Sequence, residues 1–195
     1  LNCSCEIMRL DCYYFDQGGK PFEERTKVNY DSPKIFDFDE MLADIRLLLD
    51  GKPVTRKGYN YAEHRRDDSE ELMYPPEVLI IEGIHVFYDD RICDVMNLKL
   101  FIKVDSDICL LRRIARDMNE RGRSLESISE QYKATVKPMR EKYIDRYIDK
   151  ADVVVMRGGM NEQALKTTIS YFKSCVKEQR LAESEKNESD GNDSE

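Results

Sequence analysis

Two stretches of this chain carry the residue types that phosphoryl transfer needs. Val78-Leu79-Ile80-Ile81-Glu82-Gly83-Ile84 is an apolar run ending in a carboxylate and a glycine, and Arg112, Arg113, Arg116, Arg121 and Arg123 fall within twelve residues. A carboxylate at the carboxyl end of a buried strand lies where open α/β sheets bind ligands, and it can help to hold Mg²⁺. Arginines near a helix end offer forked donors to phosphate oxygens or vicinal hydroxyls. Arg113 and Arg116 share a helix face, while Arg121 and Arg123 flank Gly122. The competing reading is a solvated helix face paired with Asp117 and Glu120, which suits Arg112 best.

Asp11, in Asp11-Cys12-Tyr13-Tyr14, stands at the tip of a short strand. A carboxylate there can accept the proton of an attacking hydroxyl, or it can simply cap a helix or turn. Tyr59-Asn60-Tyr61-Ala62-Glu63-His64 sets two aromatics and a histidine close together, a pattern for stacking on a base and bonding its polar edge. Half-buried packing explains a tyrosine pair equally well. His85, just after the apolar run, reads as a satisfied structural histidine. No G-x-x-x-x-G-K-[ST] occurs, and the pairs Gly19-Lys20 and Gly51-Lys52 are each followed by proline. A phosphate-cradling loop is therefore not visible.

The elements that must position these groups alternate. Strands are expected over 6–10, 78–81, 98–104 and 151–155, with 78–81 buried on both faces. Phe38, Met41, Leu42, Ile45, Leu48 and Leu49 recur at helical spacing before Gly51, and Ile108, Leu111, Ile114, Ala115 and Met118 mark a second amphipathic helix. Residues 125–148 read as one long helix that Pro138 kinks or breaks. Ala164, Leu165, Thr168, Ile169, Phe172 and Val176 give a closing helix. This order implies an α/β fold with a doubly wound parallel sheet.

Composition narrows the function further. The net charge of −8 is misleading, because residues 181–195 hold six acids against Lys186 and leave the other 180 residues at −3. That tail, with no apolar residue after Ala182, is expected to be disordered. A near-neutral body disfavours nucleic acid as a partner, and a local arginine cluster fits a small anion. No apolar run reaches the ~20 residues of a membrane span. The six cysteines match neither a disulfide nor a zinc framework and read as reduced thiols of a cytoplasmic protein. Leu1 rather than Met stands first, which fits a chain beginning partway into a longer reading frame.

Taken together, several motifs resemble the uridine kinase (uridine–cytidine kinase) family from about residue 6 to residue 176. They are Asp11-Cys12-Tyr13-Tyr14, Phe22-Glu23-Glu24-Arg25, Asn29-Tyr30-Asp31-Ser32-Pro33, Ile80-Ile81-Glu82-Gly83-Ile84, Arg112-Arg113-Ile114-Ala115-Arg116-Asp117, Glu120-Arg121-Gly122-Arg123, Gln131-Tyr132, Val136-Lys137-Pro138 and Arg157-Gly158-Gly159. The resemblance implies transfer of the γ-phosphate of ATP or GTP to the 5′-hydroxyl of uridine or cytidine, with Mg²⁺. It implies Asp11 as catalytic base and Glu82 as the acid that helps to organise the metal, with Asp11 beside it. Tyr30 and Asp31 would meet the nucleoside, Asp31 at the ribose hydroxyls, and Tyr59 and His64 would recognise the base with Tyr61 and Tyr14 nearby. Arg113, Arg123 and Gln131 would contact the substrate, and Arg116 and Arg121 would face the phosphates.

The resemblance makes residues 1–178 a P-loop kinase-like domain with an arginine-rich lid at about 112–125, followed by the tail 179–195. It leaves a homo-oligomer open. Ser32 stands where the family often has histidine. The family's P-loop strand and the helix behind it are not in this chain, and that strand lies between the one ending at Glu82 and the one at 98–104. Poor ATP–Mg²⁺ binding by the chain alone is therefore expected. A non-catalytic nucleoside-binding or oligomerisation module is the alternative, and the sister phosphoribulokinases fit Tyr59 and His64 less well.

Overall fold

The computed structural model describes residues 3–192. Along the chain come β1 (Cys5–Arg9), α1 (Phe22–Arg25), α2 (Phe38–Leu49), β2 (Val54–Thr55), β3 (Tyr59–Asn60), β4 (Arg65–Arg66), β5 (Leu72–Met73) and β6 (Val78–Glu82). Then follow α3 (Asp90–Cys93), β7 (Leu100–Lys103), α4 (Ser106–Asn119), α5 (Leu125–Gln131), α6 (Lys137–Lys142), β8 (Val153–Met156) and α7 (Glu162–Asn192).

β1 and β6 pair in parallel with Arg9 opposite Glu82, so both strands deliver their carboxyl ends to the same place. Asp11 follows in a 3₁₀ turn, Leu10–Tyr13, whose Leu10 is wholly buried. Gly83 closes the turn after Glu82 at φ 151°, and a Cβ there would stand 2.6 Å from that of Leu10. Only glycine fits so near the buried leucine.

α2 starts where the Asp37 carboxylate accepts the Glu40 N–H at 2.9 Å. Its stripe of Phe38, Met41, Leu42, Ile45 and Leu48 packs with Met8, Leu10, Tyr13, Tyr14 and Phe36 to form the main core. The segment between α2 and β6 folds into a finger, β2 against β5 and β3 against β4, both antiparallel. At its tip the Asn60 side-chain oxygen accepts the N–H groups of Ala62 and Glu63, each at 3.0 Å. Arg66 and Lys57 anchor the finger to Glu40 of α2 and hold that carboxyl down at about 2.

β7 and β8 form a second parallel pair. A smaller cluster of Phe87, Cys93 and Tyr147 links the segment after β6 to Phe101 of β7. Parallel strands wound with helices are as the sequence led us to expect. Among the described residues, however, no hydrogen bond joins β6 to β7, the place where the resemblance puts a further strand. The strand 78–81, expected to be buried on both faces, is accordingly half open, with Ile80 exposed, and Ile102, Val153 and Met156 of β7 and β8 are exposed as well.

Other expectations are corrected. The stripe Ile108, Leu111 and Met118 of α4 is exposed, and the buried residue of that helix is Asp117. α4 instead turns its arginine side to α5. Pro138 breaks no helix. A wide π-helical turn, Tyr132–Val136, lies just ahead of it and joins α5 to α6. The proline ring crowds the carbonyl four residues earlier, at Ala134, and that position falls within the wide turn. α7 runs through Asn192, across most of the segment expected to be disordered, because Gln, Glu, Ala and Lys favour helix without any core. Residues 193–195 of that segment lie outside the described residues. Among the described residues no helix is long and apolar enough to cross a membrane.

Candidate active site

An aromatic cage opens beside the shared carboxyl ends of β1 and β6. Tyr14 lies at its centre, stacked on Phe36 at 4.5 Å, tilted against Tyr59 at 4.8 Å and edge-on to Tyr30 at 5.3 Å. The finger brings the rest: Tyr61 stands edge-on to Tyr59, and the His64 ring lies over Tyr30 at 5.1 Å. His64 adopts φ 50°, uncommon away from glycine. Burial, then Arg121, Arg25 and Arg123, hold its imidazole below the usual range, so it meets a ligand as a neutral ring. The Tyr30 and Tyr59 hydroxyls are buried near one another, and neither completes a hydrogen bond among the described residues. Buried donors left this way are groups that a polar ligand satisfies.

Asp31 sits at the side of the cage and is held twice. Its Oδ2 accepts the Thr135 hydroxyl at 3.0 Å, and its backbone carbonyl lies 2.8 Å from Nε2 of His85. A carbonyl can only accept, so Nε2 carries the proton and Nδ1 accepts the Tyr147 hydroxyl at 2.9 Å. Burial keeps this imidazole below its usual range and hence neutral. Thr135 belongs to the π-helical turn, one turn after Gln131. The Gln131 Oε1 in turn accepts from Arg113, at 3.0 Å, and from Arg123.

Asp11 closes the cage on the strand side. Its carboxylate accepts the Tyr61 hydroxyl at 3.2 Å and the Tyr14 hydroxyl at 3.4 Å and, among the described residues, no backbone N–H, so it acts as no helix cap. Burial raises its pKa, and Tyr61, Tyr14, Arg121 and Arg116 pull it partly back. A carboxylate so placed is a better proton acceptor near neutrality than a solvated one. Glu82 is half exposed, 3.4 Å from Arg9, and is raised by burial and then by the charge of Asp11.

The residues singled out in the sequence thus form one connected cluster, with Glu82 at its edge. No three Asp, Glu, His or Cys side chains gather as a metal cage among the described residues. Two neighbouring carboxylates nevertheless suit Mg²⁺, which keeps most of its waters and takes one or two carboxylates alongside substrate phosphates.

Three residues that the sequence does not assign to the site belong to it. Thr135 shares a helix face with Gln131, a four-residue spacing that pointed to it. His85 was read as structural, and it is, but its bond reaches the backbone of Asp31. In the sequence Asp117 figures only in the competing reading, as a partner on a solvated face. It is fully buried, with guanidinium nitrogens of Arg116 at 2.9 Å, Arg121 and Arg123 at 3.4 Å, and Arg113 at 3.6 Å.

Comparisons with known proteins bear on the family and the fold. The sequence pattern of the phosphoribulokinase / uridine kinase family matches residues 5–164. The uridine kinase of Ligilactobacillus salivarius (strain UCC118) is 42% identical over 171 residues, covering 88% of this chain and 80% of the relative. That of Streptococcus gordonii (strain Challis) is 44% identical over 174 residues, covering 89% and 83%. Among solved structures, a Silicibacter sp. TM1040 protein described as a fructose transport system kinase superposes with a TM-score of 0.58 at 17% identity, covering 77% of this chain and 74% of its own. A Saccharomyces cerevisiae protein described as a P-loop-containing kinase with a circular permutation gives 0.58 at 15% identity, covering 78% and 57%. At those identities the two structures speak for the fold alone, and the fold is that of the P-loop kinases. The extent of the sequence matches settles the lineage: the chain belongs to the phosphoribulokinase / uridine kinase family and is a uridine kinase-like phosphotransferase.

Proposed function

We propose that the protein transfers the γ-phosphate of ATP or GTP to the 5′-hydroxyl of uridine or cytidine, yielding the nucleoside monophosphate and the nucleoside diphosphate. The observation that carries this reading is Tyr61. Its ring packs in the cage while its hydroxyl bonds the Asp11 carboxylate, so a base-stacking surface and a proton acceptor lie one side chain apart.

In this reading a pyrimidine stacks among Tyr14, Tyr30 and Tyr59, with neutral His64 at its polar edge. Asp31, fixed by Thr135 and His85, takes the ribose hydroxyls, and Arg113, Arg123 and Gln131 line the sugar. Asp11 accepts the 5′-hydroxyl proton as that oxygen attacks the γ-phosphorus. Arg116 and Arg121, near Asp11, meet the charge on the transferring group. Mg²⁺, when held by Glu82 and Asp11, would neutralise phosphate charge.

A second reading is nucleoside binding or oligomerisation without turnover. Uridine phosphorylation by the wild type separates the two readings. In an active enzyme, Asp11→Asn is expected to lower kcat about 10²- to 10⁴-fold while the fold persists. A near-wild-type kcat in that variant removes Asp11 from the chemistry.

A further inference from the structure

The four arginines at the end of α4 meet at one buried carboxylate, and its two oxygens divide them. Oδ1 of Asp117 takes Arg116 at 2.9 Å and Arg121 at 3.4 Å, and Oδ2 takes Arg123 at 3.4 Å and Arg113 at 3.6 Å. The first pair is the one whose charge reaches Asp11. The second pair is the one that shares the Gln131 oxygen. Arg116 and Arg121 are 44% and 43% exposed, against 19% for Arg113 and 27% for Arg123, while Asp117 itself is at 0%.

We propose that Asp117 is a positioning residue that holds two arginine pairs in register, one toward the phosphates and one toward the sugar. This deepens the kinase reading and rests on it. The physical argument is a charge count within one small volume. Four guanidiniums crowd together around a single negative charge, and a buried unpaired charge is strongly disfavoured, so Asp117 is what lets the arginines converge. Its grip is uneven. Gln131 also holds Arg113 and Arg123, whereas the exposed pair answers to Asp117 among the described side chains and can swing its free nitrogens to an incoming anion. Asp117 therefore competes weakly with a polyphosphate for Arg116 and Arg121 while keeping those arginines in place for transfer.

That competition gives the proposal a signature that a purely structural residue lacks. In Asp117→Asn the shape is kept and the charge is lost. Affinity for inorganic tripolyphosphate, read by calorimetry, should rise severalfold, because the arginines no longer face a competing carboxylate. The kcat for uridine phosphorylation should fall tenfold or more, about what misplacing a transition-state contact costs. A residue that matters only for folding would weaken both, and a passive one would change neither; either result overturns the proposal. A double-mutant cycle with Arg121→Gln adds a second reading: the loss in kcat on removing Asp117 should shrink once Arg121 is gone, and strictly additive losses would count against a role exerted through that arginine.

Should Asp117→Asn not fold, Asp117→Glu keeps the charge and moves it outward by one methylene. That variant should lower kcat with little change in tripolyphosphate affinity, and wild-type kcat in it sinks the proposal. Absence of uridine phosphorylation by the wild type would overturn the kinase reading instead, and the tripolyphosphate titration would still judge Asp117.

Discussion

Ile45 of α2 is 2% exposed, whereas Leu111, at the same kind of position in the apolar stripe of α4, is 61% exposed. Both helices carry apolar residues at three- and four-residue steps, and from sequence they are equivalent. The difference is in what lies opposite. α2 has β1, the 3₁₀ turn and the finger to pack on, all within this chain. The outer face of α4, like the exposed sides of β7 and β8, has no cover among the described residues. The end that carries the aromatic cage is therefore closed by its own residues, and the end that carries β7, β8 and α4 is not. Periodicity says which face of a helix is apolar; burial needs a second surface, and a single helix cannot report that.

Truncation on both sides tests this contrast most directly. Ile45→Ala should cost about 2–5 kcal/mol of unfolding free energy, as expected for a fully buried aliphatic side chain. Leu111→Ala should stay within about 0.5 kcal/mol. Urea denaturation of both variants gives the numbers. Equal losses would mean that the α4 face is covered in solution and that the two ends do not differ.

The aromatic cage provides a subtler test, since its residues are held by the closed end. His64→Ala should raise KM for uridine about tenfold and lower kcat much less, because contact with the base is made equally in ground and transition states. Steady-state kinetics with uridine and cytidine decide it. An unchanged KM for both nucleosides would return the ring stacked on Tyr30 to plain packing.

Much of this site was legible in the sequence because its parts sit at element ends. Glu82 ends the short strand β6, where an acid after an apolar run stands out, while Asp11 just past β1 stays open between a cap and a proton acceptor until the family resemblance is added. Tyr59, Tyr61 and His64 were legible as a cluster, but the finger that aims them depends on pairings between residues such as Val54 and Met73, which no local pattern announces. The arginines were visible, and their common anchor was not. An acid among arginines looks like ordinary surface charge until its burial is known. Pro138 was half legible: a disturbance of the helix is there, but as a wide turn and not a break. A proline in a helical run signals a break unless a wide turn ahead of it absorbs the clash, and nothing in the residues 132–136 marks such a turn.

Two titrations sharpen the comparison at the level of single groups. His64 and His85 are both held below 6.5, chiefly by burial. A folded-state pKa below the unfolded one means that the unfolded chain binds protons first on acidification. Stability should thus be full above pH 6.5 and decline as the pH falls through the window beneath it. Melting temperatures between pH 7.5 and 5.5 would show this, and a His85→Gln variant, which can keep a donor toward Asp31, should flatten the decline. If the slope is unchanged in that variant, His85 is not the group being protonated.

The smallest expected effect lies at Asp11, whose carboxyl burial lifts above the ordinary 3.8 while the Tyr61 hydroxyl is the strongest of the groups opposing that lift. A hydrogen bond donated to a carboxylate favours its ionised form, so removing the donor must raise the pKa further. Tyr61→Phe keeps the ring against Tyr59 and deletes only the hydroxyl. The acid limb of kcat/KM should therefore move to higher pH, with the plateau above it nearly unchanged. Arg121→Gln should move the limb in the same direction but lower the plateau as well, because in the proposed reaction that arginine also meets the phosphates. A limb that stays put in Tyr61→Phe would mean that the acid side of the profile reports some group other than Asp11, with Glu82, also raised by burial, the next to examine.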